Sequence, residues 1–140
     1  MGDFLKDCLY FTTNRLSRAI TKMADEEFAP TGFSPMYGYL LLLVIRDPGS
    51  TQKQLADQLD IAPSTLTRFI EKLERKRLVI RTAQGKSVRV YPTENGKTLE
   101  DEIRRASNRL HVRYEKILGK ETADLLSKEL VRSTDQLEAE

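Results

Sequence analysis

The chain has a single cysteine, Cys8, so no internal disulfide can form and a reducing cytoplasm is the expected setting. It has a single histidine, His111, far in sequence from that cysteine, and the two together are too thin a ligand set for zinc. No apolar run approaches the roughly 18 residues of a membrane span. The longest, Tyr39 to Ile45, has the length of a buried helix segment. The N-terminus lacks the basic-then-apolar order of a secretory signal. Its seven glycines mark helix ends and turns, not a phosphate loop. Neither a nucleophile elbow nor a paired-histidine motif occurs, so no catalytic residue, metal or cofactor is expected. Low-complexity tracts and internal repeats are missing as well.

What remains is a chain of 140 residues, 39% hydrophobic and 31% charged. That is enough for one domain, 1–140, with a small core and a large solvated surface. Ser34-Pro35 is a cap followed by proline at a first helical position, opening a helix from about Met36 to Arg46 that Asp47-Pro48-Gly49 ends. Thr51 to Gln54 has the spacing of a capping box and starts another helix.

Residues 55–77 are the most informative stretch. Leu55, Ala56 and Leu59 form the apolar side of one short helix, and Asp60-Ile61-Ala62 makes a turn. Pro63 then opens a second helix whose apolar side is Leu66, Phe69, Ile70 and Leu73, at helical spacing. Ser64, Thr65, Thr67, Arg68, Lys72 and Arg75 face away. Short hydroxyl donors beside a bidentate cation, on the free face of an anchored helix, suit a DNA groove.

Next, Leu78, Val79, Ile80 and Arg81 switch to strand-forming residues. Ala83 to Ser87 is a polar turn, and Val88 to Tyr91 alternates at period two until Pro92. A hairpin here is a wing, with Lys86 and Arg89 able to reach phosphates or a minor groove. The charge follows the same segment. Positions 60–91 hold eight cations against Asp60, Glu71 and Glu74, an excess of five, whereas the whole chain sums to +2. Such segregation is what phosphate contact requires and a protein–protein adaptor does not.

Outside the motif the chain reads as amphipathic helix. Leu5, Leu9, Leu16, Ile20 and Met23 form one stripe, widened by Phe4, Cys8 and Phe11, until Pro30 and Gly32 break it. Thr93 caps a long helix carrying Leu99, Ile103, Ala106, Leu110, Tyr114, Ile117 and Leu118 until Gly119. A last helix spans about Glu121 to Leu137. A core of about 65 residues covers only part of these stripes, so they are expected to pack against a second copy of the chain. The fold class expected is mainly α with a small β-hairpin wing. A winged helix-turn-helix occupies about 35–92, flanked by dimerisation helices at about 3–28 and 93–138.

With these segments in order, the chain resembles the MarR family of bacterial transcription regulators over nearly its whole length. The matching stretches are Gln54-Leu55-Ala56, Ile61 to Arg68, Leu73 to Arg81, and Tyr91 to Gly96. The resemblance implies a homodimer on double-stranded DNA, each protomer setting one helix in a major groove and its wing at the flanking minor groove. Half-sites would lie about one helical turn apart, roughly 34–36 Å, in a near-palindromic site. Carried over by position, Ser64, Thr65, Thr67 and Arg68 face bases and nearby phosphates, with Lys72, Arg75, Arg81, Lys86 and Arg89 completing the DNA-binding set. The wing departs from the family pattern. The loop Ala83 to Ser87 is short and has no acidic residue, so Lys86 stands in for the usual wing arginine. Lys76-Arg77 likewise replaces the Lys-Gly often found there.

The resemblance also implies repression, relieved by a small aromatic or anionic effector bound between the dimerisation helices and the DNA-binding lobe. Tyr10, Arg15, Tyr37 and Tyr39 are the candidates to line that cleft, with half-buried core tyrosines as the plainer reading. Redox sensing by Cys8 is another alternative. Aligning Ser17-Arg18 with the hydroperoxide-sensing branch puts the reactive position at Tyr10, and two residues are about 200° around a helix. Cys8 therefore reads as a structural thiol. His111 reads as a surface or interface residue.

Overall fold

A computed structural model describes residues 2–140. Helix α1 is Leu9–Phe28, followed by a short 3-10 turn, Ala29–Thr31. The expected start near residue 3 is too early. Asp3 closes a turn by accepting from Leu5 N–H at 3.0 Å, and Cys8 N–H bonds the Leu5 carbonyl at 3.1 Å. Phe4 and Leu5 extend the apolar stripe but lie before the helix, and Phe4 is 80% exposed.

Helix α2, Pro35–Arg46, opens on proline as expected, although the Ser34 hydroxyl makes no cap bond. Strand β1 is Ser50–Thr51 and helix α3 is Gln52–Leu59. The capping box between them is complete. Thr51 Oγ1 accepts from Gln54 N–H at 3.1 Å, and Gln54 Oε1 accepts from Thr51 N–H at 2.9 Å. Asp60 turns the chain in the left-handed region, with φ 54°. Helix α4, Pro63–Arg75, then buries Leu66, Ile70 and Leu73 completely.

The end of α4 is a Schellman motif. Leu78 N–H bonds the Leu73 carbonyl at 3.0 Å and Arg77 N–H bonds the Glu74 carbonyl at 2.9 Å. Arg77 occupies the left-handed position at φ 60°, a place glycine takes at lower cost. Strands β2, Val79–Gln84, and β3, Ser87–Pro92, pair antiparallel with Gln84 opposite Ser87, leaving Gly85-Lys86 as a two-residue turn. Gly85 at φ 64° meets the need for a positive φ at the first turn position of a type II′ hairpin. β1 adds to β3, giving the order β1-β3-β2.

The long helix expected from Thr93 is two. Thr93 caps α5, Glu94–Lys97, by accepting from Gly96 N–H at 3.0 Å, and α6 runs from Glu100 to Leu118. The short helix is held by a close tertiary approach. Gly96 lies so close to the Leu78 carbonyl that a Cβ would collide with it, which pins α5 against the start of β2. Helix α7, Lys120–Glu138, follows Gly119.

The core joins Phe28 of α1, Leu40, Leu41 and Val44 of α2, Leu55 of α3, the buried face of α4, Val79, Val90, and Ile103, Ala106 and Leu110 of α6. Gly38 admits the Phe28 ring, where a Cβ would stand 2.9 Å from Cε2. Three ion pairs tie α6 to the end of α1: Arg113 Nη1 to Glu27 Oε2 at 3.2 Å, Arg109 Nε to Glu27 Oε1 at 3.4 Å, and Arg113 Nη2 to Glu26 Oε2 at 3.7 Å. Leu9, Ile117, Leu125, Leu130, Val131 and Leu137, on α1, α6 and α7, stay exposed. Among the described residues no single helix is long and apolar enough to cross a membrane.

Candidate nucleic-acid interface

Helix α4 is anchored on one side and free on the other. At about 100° per residue, Leu66, Ile70 and Leu73 span one arc, and Ser64, Arg68 and Arg75 lie diametrically opposite. All three of the latter are exposed. Arg68 Nη2 donates to Thr65 Oγ1 at 3.4 Å, a long contact that leaves most of the guanidinium donors free.

The two flanks differ. On one, Thr67 donates its hydroxyl proton to the Pro63 carbonyl at 3.0 Å and accepts from Gln52 Nε2 of α3 at 3.3 Å. Thr67 is therefore half-buried and committed to the protein. Gln52 Oε1 is buried and has no partner among the described residues. Further along this flank, Glu74 Oε1 accepts from Arg81 Nη2 at 2.8 Å, with each side chain about one-third exposed (37% and 29%). The other flank, with Thr65 and Lys72, faces α2. There Lys72 Nζ lies 4.7 Å from the centre of the Tyr37 ring.

The wing places Lys86 at its tip, exposed. Arg89 is turned inward, its Nη1 donating to the Gly49 carbonyl at 2.7 Å. The Tyr91 ring backs the same glycine, and Gln84 Nε2 donates to Tyr91 Oη at 3.2 Å. Of the nine residues read as DNA-binding, Ser64, Arg68, Lys72, Arg75 and Lys86 are thus exposed, and Thr65 is half-buried. Thr67, Arg81 and Arg89 already hold protein partners. Sequence reading counted Lys76 in the basic segment without placing it in the DNA-binding set, and did not single out Gln52. The spacing of Lys76, four beyond Lys72, was a usable signal, whereas nothing local marks Gln52.

The four residues read as an effector cleft are not brought together within the chain. Tyr10 is 79% exposed on the first turn of α1, and Arg15 is exposed one and a half turns on. Tyr37 packs on Phe69, with ring centres 4.5 Å apart. Tyr39 lies about 200° around α2 from Tyr37, edge-on to Phe28 at 5.3 Å, with its hydroxyl 3.1 Å from Ser107 Oγ. Two concavities lie elsewhere. One, about 370 Å³, is an apolar groove between α1, α6 and α7, lined by Leu16, Ile20, Tyr114, Leu118, Leu126 and Leu130. Burial, then the neighbouring Glu115 carboxylate, raises the Tyr114 phenol above its ordinary pKa. The other, about 310 Å³, lies between α2 and α6 and is lined by Leu42, Arg104, Ser107, Asn108 and His111. Cys8 is half-buried at the N-terminal boundary of α1. His111 is exposed, with its ring 4.9 Å from that of Tyr114.

Residues 31–89 match the sequence model described as the MarR family. An uncharacterised HTH-type transcriptional regulator of Bacillus subtilis (strain 168), YybA, is 26% identical over 108 residues, 75% of this chain and 69% of that protein. Among solved structures, the transcriptional repressor CouR superimposes with a TM-score of 0.84 at 22% identity, over 93% of this chain and 94% of that one. It has been solved on a 23-mer DNA duplex and with p-coumaroyl-CoA. A structure of CouR from Rhodococcus jostii RHA1 bound to p-coumaroyl-CoA gives 0.77 at 23% identity, over 90% of this chain and 91% of that one. The MepR–DNA complex of S. aureus gives 0.79 at 18% identity, over 93% of this chain and 98% of that one.

Proposed function

We infer that this chain, a MarR-family segment at residues 31–89 set in the winged-helix fold of MarR regulators, is a dimeric transcription regulator that represses by binding double-stranded DNA. One observation carries the reading. The α4 face bearing Ser64, Arg68 and Arg75 stands opposite three wholly buried residues, so the helix is held rigidly with its donors outward. Arg68 can fork onto a guanine edge, Ser64 and Thr65 supply short donors, and Arg75 and Lys86 neutralise phosphates on either side. That fold neighbours have been solved on duplex DNA supports the same use of the surface.

The exposed leucines of α1, α6 and α7 supply the second half. Burying them against the same helices of another copy removes apolar surface from water at about 25 cal/mol per Å² and pairs two α4 helices on one side. The effector reading moves with the geometry. Arg104, whose Nε is held by Glu100 at 2.8 Å, offers its remaining donors with Asn108 and His111 to a carboxylate or phosphate between α2 and α6. Tyr39, bonded to Ser107 of the same cavity, stands beside them, whereas Tyr10, Arg15 and Tyr37 lie apart. An anionic effector wedged there would alter how α2, and α4 packed on it, sits against the dimer helices. That CouR has been solved with p-coumaroyl-CoA is consistent with such a ligand.

The test is sedimentation of the protein alone and with a random-sequence 30-bp duplex at low salt. A dimer that moves onto the duplex as two chains supports the reading. A monomer, or a dimer that ignores the duplex and behaves as an adaptor, contradicts it.

A further inference from the structure

The α2-facing flank of α4 carries two lysines whose ammonium groups sit over aromatic rings. Lys72 Nζ is 4.7 Å from the Tyr37 centroid and Lys76 Nζ is 5.3 Å from that of Phe33. Both fall inside the roughly 6 Å at which a ring quadrupole holds a cation. The rings themselves are held in place. Tyr37 leans on Phe69, and the Phe33 N–H donates to Thr31 Oγ1 at 3.1 Å just after the left-handed Gly32. Both rings pack on the edge of the core.

The lysines are exposed, and among the described residues neither makes a salt bridge. This difference matters. A carboxylate partner would hold an ammonium and cancel its charge, whereas a ring restrains the flexible stem and leaves the charge whole. An ammonium has three N–H donors, and a ring face occupies one side of it. The result is two positioned cations with donors to spare, on the flank of α4 beside Arg68. By helical spacing Lys72 is about 40° around α4 from Arg68.

We infer that Lys72 and Lys76 bind phosphates of the same duplex, and that Tyr37 and Phe33 act as positioning residues that preset them. This rests on the DNA-binding reading above. A polyanion running beside α4 is the ligand that two uncancelled cations one helical turn apart can serve together. Both stand near the C-terminal end of α4, where the helix dipole favours positive charge.

The experiment is fluorescence anisotropy of the full chain with a random-sequence 30-bp duplex across a salt series. Lys76→Met is expected to weaken binding and to make the slope of log K against log salt shallower by about 1, because one fewer phosphate is neutralised. Phe33→Leu keeps apolar bulk but removes the quadrupole. It is expected to weaken binding about 2–5-fold with the slope unchanged. Phe33→Trp should restore the affinity. In a Lys76→Met background, Phe33→Leu should cost nothing more.

An unchanged slope for Lys76→Met overturns the proposal, as does an equal Phe33→Leu loss with and without Lys76. Unfolding midpoints report on folding, and should Phe33→Leu not fold, the slopes of Lys72→Met and Lys76→Met decide alone. If the unsubstituted protein ignores the duplex, the DNA-binding reading fails with it. If that protein binds steeply while the lysine variants match it, only this inference fails.

Discussion

The Arg89 guanidinium donates to the Gly49 carbonyl at 2.7 Å, joining the wing to the loop after α2 across 40 residues of chain. A wing arginine that looks, from its position in the sequence, like a reader of DNA is here part of what aims the wing. Arg89→Leu should therefore destabilise the fold by about 1 kcal/mol, a charged hydrogen bond discounted for partial exposure. Urea unfolding measures this. Unchanged stability with weakened DNA binding would return Arg89 to a direct DNA role.

Gly96→Ala tests the packing of α5 on the wing. Its Cβ would meet the Leu78 carbonyl, a backbone atom that cannot rotate aside. Moving either segment disturbs the Thr93 cap and the Schellman turn together, since Thr93 Oγ1 also donates to the Arg77 carbonyl at 2.7 Å. A loss of about 2–3 kcal/mol in the unfolding free energy is expected.

Arg77→Gly should act in the opposite direction. The left-handed backbone at φ 60° costs an arginine about 1 kcal/mol and a glycine little, although glycine gives part of that back as unfolded-state entropy. A small rise in thermal midpoint is the expected outcome, and a fall would show that the Arg77 side chain makes a stabilising contact.

Arg68→Ala and Lys86→Ala separate base reading from phosphate contact. The first should cost about 1–3 kcal/mol on a selected site and relax preference at one base position. The second should weaken binding to all duplexes alike and flatten the salt dependence. Gel-shift series on matched and mismatched duplexes distinguish the two.

At the end of α7 the Asp60 carboxylate first of all, then desolvation, raises the Glu138 carboxyl above its ordinary value. A raised acid binds its proton more readily in the folded state. Its stabilising effect is therefore complete below the unfolded pKa and is lost as pH climbs through the folded one. Glu138→Gln should match the unsubstituted protein at acidic pH and become the more stable of the two toward neutrality, read from thermal midpoints.

Local patterns were legible in the sequence and long-range ones were not. The Thr51–Gln54 capping box, Pro63 at the head of α4 and the three buried residues of that helix follow from spacings of one to four residues. The start of α1 did not, because Phe4 and Leu5 continue its apolar stripe while Asp3 closes a turn ahead of it. Nor did the packing of α5, where Gly96 meets the Leu78 carbonyl 18 residues upstream. The candidate interface divides the same way. Ser64 and Arg68 are placed outward by helical period alone. That Thr67, Arg81 and Arg89 are held by Gln52, Glu74 and Gly49 depends on contacts 7 to 40 residues apart, which no local pattern encodes.

Selection of bound fragments from a random duplex pool tests the central claim most directly. Two chains presenting paired α4 helices should enrich an inverted repeat whose half-sites are centred about 10–10.5 bp apart. Enrichment of a single unrepeated site, or of no sequence at all, would contradict it.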